Sequence, residues 1–92
     1  ASMRLNSVGS SNTALGSYSL YCNTASNNTA VGFCALRSNT TGTSNVALGL
    51  DALRFNTGGN FNVAIGRSAL YSNITTTANE FTFCIIANPT KT

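Results

Sequence analysis

Apolar and polar positions recur along this chain in one fixed order. Four segments align without a gap: Asn12-Thr-Ala-Leu-Gly-Ser-Tyr-Ser-Leu20, Asn28-Thr-Ala-Val-Gly-Phe-Cys-Ala-Leu36, Asn45-Val-Ala-Leu-Gly-Leu-Asp-Ala-Leu53 and Asn62-Val-Ala-Ile-Gly-Arg-Ser-Ala-Leu70. They share the pattern N-[TV]-A-[LVI]-G-x-x-[AS]-L, and successive starts lie 16, 17 and 17 residues apart. A second asparagine follows each closing leucine by three positions, at Asn23, Asn39, Asn56 and Asn73. Met3 and Asn6 fit the frame ahead of the first copy. Asn79 starts a fifth copy on time, after which Phe81, Thr82 and Phe83 stand where alanine, an aliphatic and glycine belong.

A period this short cannot hold a helical hairpin, whose repeats run to more than about 30 residues. It suits short strands joined by tight turns, each stacked on the last. The expected fold is therefore all-β: a parallel β-solenoid (β-roll or β-helix) of about five coils over residues 1–78, oligomeric, with residues 79–92 as a divergent C-terminal cap or assembly strand. Side chains alternate along a strand, so the [TV] and [LVI] positions share one face. Leu15, Val31, Leu48 and Ile65 on that face are expected to form one core column, and Leu20, Leu36, Leu53 and Leu70 a second. Gly16, Gly32, Gly49 and Gly66 are expected at positive φ or at a close backbone approach.

Stacking also accounts for the polar content. Asn, Thr, Ser and Gly make up 45 of the 92 residues. Residues of equal phase lie about 4.8 Å apart in stacked strands, where amide side chains hydrogen-bond along the stack. Two ladders are expected: Asn12, Asn28, Asn45 and Asn62, and Asn23, Asn39, Asn56 and Asn73. Like charges in one phase would repel at that spacing, in keeping with a charged content of only 8 %.

With these residues in hand, the repeat resembles those of fibre and tail-spike proteins of phages and large algal viruses. It is also similar to the N-S-x-A-I-G repeats in the heads of trimeric autotransporter adhesins. The resemblance covers about residues 3–78 and implies parallel coils, often three chains around one axis, in an extracellular or virion-surface fibre. The repeat here is longer than the usual adhesin-head unit, so the coil shape does not carry over. The expectation is a structural, self-associating fibre, adhesin-stalk or virion-appendage subunit, partnered by itself as a trimer or an end-to-end filament.

Composition narrows the alternatives. Two acidic residues and no histidine leave most acid–base and metal chemistry without its residues, so no enzyme, metal or cofactor is expected. Five scattered basic residues and a net charge of +3 are weak grounds for nucleic-acid binding, and none is expected. No apolar run approaches the roughly 20 residues of a membrane span. The leading Ala1-Ser2-Met3 reads either as a cloning remnant before an excised fragment or as a processed end.

Two further features carry chemistry. The position after the repeat leucine reads Tyr21, Arg37, Arg54, Tyr71, one column able to bind a cell-surface glycan or receptor through stacking and cation–π contacts. No acidic or amide group stands beside it in the pattern to give sugar specificity, so a solvated column is the plainer alternative. Phe33, Phe55 and Phe61 fall at variable positions. The tail residues Phe81, Phe83, Cys84, Ile85 and Ile86 are candidates for assembly by strand addition. Three cysteines, Cys22, Cys34 and Cys84, are an odd count in different phases, with Cys84 the candidate for an intersubunit disulfide. Asn27, Asn39 and Asn73 head glycosylation triplets in a chain rich in both residue types. Stacked threonines raise a third function, ice binding, but Thr13 and Thr29 give way to Val46 and Val63.

Overall fold

The computed structural model describes residues 9–72 and 82–85. They contain no helix. Each motif copy contributes one short strand: β1 (Thr13–Leu15), β2 (Thr29–Val31), β3 (Val46–Leu48) and β4 (Asn62–Ile65), with β5 (Thr82–Ile85) last. All five form one parallel sheet in sequence order. The register matches the repeat: Ala14, Ala30, Ala47 and Ala64 pair in turn, as do Leu15, Val31, Leu48 and Ile65.

The fifth strand departs from the extrapolated frame. The repeat places Asn79 in phase with Asn62, but Thr82 takes that place, with Phe83 opposite Val63, Cys84 opposite Ala64 and Ile85 opposite Ile65. Three extra residues therefore separate the last strand from the fourth, and the tail adds a strand to the sheet of its own chain.

The two faces of the sheet are the reverse of the expectation. Ala30, Ala47 and Ala64 are fully buried, whereas Leu15 is 66 % exposed and Val31, Leu48 and Ile65 are only half-buried. The strand aliphatics are thus not a core column. The core is assembled from those alanines together with Leu20, Leu36, Leu53, Ala35, Ala52 and Ala69 of the segments after the glycine, and Leu70 packs against its end. Volume explains the reversal. One leucine per repeat already fills the space between the strand and the returning segment, and a second large side chain there would overpack it. Ser19 stands in the place of Ala35 and is also buried, its hydroxyl donating to the Gly16 carbonyl at 2.8 Å.

The segment after each strand is a run of overlapping turns. In the second copy the N–H groups of Ala35, Arg37 and Asn39 donate to the carbonyls of Gly32, Cys34 and Leu36. The N–H groups between them reach outward instead, Leu36 to the Ala52 carbonyl at 2.9 Å and Ser38 to the Arg54 carbonyl at 3.0 Å. Alternate backbone donors thus close the turn and bind the next repeat, giving buried backbone groups the partners they require. The geometry demands left-handed backbone at Leu20, Leu36, Leu53 and Leu70 (φ 48–52°) and at Tyr18, Cys34, Asp51 and Ser68 (φ 59–62°). At the four motif glycines φ runs from 117° to 132°, and each lies against the next: a Cβ on Gly32 would sit 2.6 Å from the Gly49 oxygen.

Both asparagine columns are built into the interior. Asn23, Asn28, Asn39, Asn45 and Asn56 are fully buried and Asn62 nearly so. In the first column the Oδ1 of Asn12 accepts from the Asn28 N–H (2.9 Å), that of Asn28 from the Asn45 N–H (3.0 Å), and that of Asn45 from the Asn62 N–H (3.0 Å). In the second, Asn39 Nδ2 donates to Asn23 Oδ1 at 2.7 Å and Asn56 Nδ2 to Asn39 Oδ1 at 2.9 Å. Each loop carbonyl joins the two columns. Gly42 O accepts from Asn28 and Asn39, and Gly59 O from Asn45 and Asn56. In the 16-residue repeat Ala25 O does the same for Asn12 and Asn23, so the missing residue is absorbed within the loop. Asn73 lies outside the described residues.

Candidate functional site

Two surfaces stand out once the repeats are stacked. The first is the outer face of the sheet. It carries Thr13, Thr29, Val46 and Val63 beside Leu15, Val31, Leu48 and Ile65, and continues to Ile85, which is 57 % exposed. No charged residue lies on this face in β1 through β4. A sheet with one solvated face ordinarily places polar residues outside and large apolar ones inside; here the largest strand residues point outward.

The second is the column after the repeat leucine. Tyr21, Arg37, Arg54 and Tyr71 fall in successive turns, as expected, but they divide into two clusters of different chemistry. In the lower one, Arg54 Nη1 lies 3.2 Å from Asp51 Oδ1 and its guanidinium lies 5.3 Å from the Phe55 ring, which meets Tyr71 edge-on at 5.2 Å. The Asp51 carboxylate is thus beside the column after all, although the pattern gave no acidic neighbour. Side-chain Nε of Arg54 is buried without a partner. In the upper cluster the residue in phase with Asp51 is Cys34, and among the described residues no carboxylate pairs with Arg37. Its guanidinium lies instead over Tyr18, 4.7 Å from the ring centroid, and 5.7 Å from Tyr21. Both distances are within cation–π range. Tyr18 also meets Tyr21 at 5.1 Å and Phe33 edge-on at 6.0 Å.

Sequence reasoning missed Tyr18, Phe33, Asp51 and Phe55 as members of these clusters. The available signal was spacing: Tyr18 and Tyr21, like Asp51 and Arg54, are three apart across one turn, which brings both side chains to the same side. Phe33, Phe55 and Phe61 are all partly exposed, at 39–47 %.

The remaining candidates fall as follows. Cys34 is buried, whereas Cys22 and Cys84 are half-buried, and all three are free. Cys84 occupies the alanine column of β5 and packs, half-buried, against the core. Ile85 points outward. Phe81 and Ile86, like the Phe83 side chain, lie outside the described residues. Asn27 is exposed and Asn39 is buried. Asn39 could accept a glycan only by leaving the second ladder. No helix among the described residues is long and apolar enough to cross a membrane. No protein-family model matches the chain, and no match was found among curated proteins or solved structures.

Proposed function

We propose that this chain is a structural building block: a parallel β-solenoid that associates with copies of itself into an extracellular fibre, adhesin stalk or virion appendage. The observation that carries this reading is the uncharged outer sheet face running from Leu15 to Ile85. Four strand spacings at about 4.8 Å make it roughly 20 Å long. Aliphatic surface presented in register over every repeat is costly to leave in water, and a second copy offers the same spacing and no opposing charge. The stacked Asn columns and the hydrogen bonds between successive turns support the mechanical part of the proposal. They tie each coil to the next through side chain and backbone together, as a stiff rod requires. The likeness of the repeat to fibre and adhesin-head repeats adds support for an extracellular or surface setting.

Light scattering after size exclusion, together with negative-stain imaging, tests the proposal. A discrete species near three chains, or filaments, is the expected result. A monomer that persists at the highest attainable concentration would refute self-association.

A further inference from the structure

Arg37 is in an unusual situation for an arginine. Its counterpart one repeat on, Arg54, is neutralised by Asp51 at 3.2 Å. Arg37 has no ion pair and no side-chain hydrogen bond among the described residues, because Cys34 occupies the carboxylate's phase. Even so, it is not a loosely hydrated cation. Two tyrosine rings hold the guanidinium at 4.7 and 5.7 Å, which restricts its orientation and leaves its in-plane N–H groups for a planar, bidentate acceptor. Beside it, Tyr18 is 37 % and Phe33 47 % exposed, and the rings meet at 89°, forming an apolar corner open to solvent. Tyr18 holds this place at φ 62°, a conformation that disfavours bulky residues.

We propose that Tyr18, Tyr21, Phe33 and Arg37 form a shallow binding site for a carboxylate-bearing saccharide. The guanidinium takes the sugar carboxylate through paired N–H···O bonds, and the exposed face of Tyr18 or Phe33 takes the C–H face of the pyranose ring. The carboxylate supplies the charge that Asp51 supplies to Arg54. A saccharide suits the site better than an acidic peptide because the corner offers ring faces beside the cation. The site lies on the turn segments rather than on the outer sheet face, so it stands or falls independently of self-association.

The test is biolayer interferometry of the full chain against sensors carrying sialyllactose, lactose or a polyglutamate peptide. Binding to sialyllactose well above that to either other surface is expected. Arg37→Gln should weaken it by about tenfold or more, the scale of a lost charge-assisted hydrogen-bond pair, and Tyr18→Ala should also weaken it. Arg67→Gln removes the same charge from an exposed position elsewhere and should leave binding intact, and far-UV circular dichroism should show all three variants folded. Equal binding to lactose or to polyglutamate, no binding to sialyllactose, or unchanged binding by Arg37→Gln would each overturn the proposal.

Discussion

Replacing Gly49 with alanine tests the stacking geometry at its tightest point. Gly49 has φ 132°, and a Cβ there would lie 2.7 Å from both the carbonyl carbon and oxygen of Gly66 and 3.2 Å from the Arg67 nitrogen. All three are backbone atoms, and none can swing aside. Gly66 is fixed on both sides, since its N–H donates to the Leu48 carbonyl at 2.8 Å and its carbonyl accepts from the Ala69 N–H at 3.2 Å. The added methyl therefore forces two repeats apart. Backbone strain at such a φ costs about 1–3 kcal/mol, and overpacking against a fixed neighbour about 1–3 kcal/mol more. The sum, about 2–6 kcal/mol, is a large part of the roughly 5–15 kcal/mol that stabilises a domain. At about 4–8 °C per kcal/mol for a chain of this size, the melting temperature should fall by at least about 8 °C. Gly58 is the control: its φ is not left-handed, and an added Cβ meets only the exposed Thr41 hydroxyl, at 3.3 Å. Gly58→Ala should stay within about 1 kcal/mol of the wild type. Urea denaturation followed by circular dichroism measures both. A Gly49→Ala midpoint indistinguishable from that of Gly58→Ala would show that the glycines are not in backbone contact and that the stacking described here is wrong.

Other predictions follow from the same geometry. Asn45→Ala removes the acceptor of the Asn62 N–H and one of the two amides on the Gly59 carbonyl; an orphaned buried N–H alone costs about 1–3 kcal/mol, and urea midpoints should show at least that loss. Asn45→Asp keeps the acceptor for Asn62 but sets a carboxylate oxygen against the Gly59 carbonyl, so it too should destabilise in the same assay, rather than behave as a neutral isostere. Ala47→Glu, a charge placed in the fully buried alanine column, should leave an unfolded or aggregated chain by circular dichroism and size exclusion.

Much of the fold was legible because the chain repeats itself. Period, parallel order and the strand register through β4 all follow from aligning four copies, since residues of equal phase must meet in a stack. The assignment of faces did not follow from alternation, which separates two sets of side chains without saying which is inside. The deciding signal was present all the same: the alanine, the leucine and both asparagines keep their identity from copy to copy, while [TV] changes in polarity and [LVI] in shape. A packed interior tolerates no such variation; a surface does. The left-handed leucines had no local signal, because leucine is a poor residue for that conformation and only the overlapping turns on either side impose it. Likewise the three-residue shift of β5 lies beyond the last regular copy, where the repeat has no more information to give. Of the column after the repeat leucine, phase alone placed Tyr21, Arg37, Arg54 and Tyr71 in successive turns. The difference between a neutralised Arg54 and an open Arg37 came from what sits one turn earlier, Asp51 or Cys34.

Leu48→Glu tests most directly the proposal that copies meet through the outward aliphatic face. Leu48 is half-buried on the outside of β3, beside Val31 and Ile65 in register. Absolute mass by light scattering, with far-UV circular dichroism on the same sample, should find an assembled wild type and a folded, β-rich, monomeric variant. An unfolded variant would place Leu48 in the core, and a variant that assembles like the wild type would show that copies meet elsewhere.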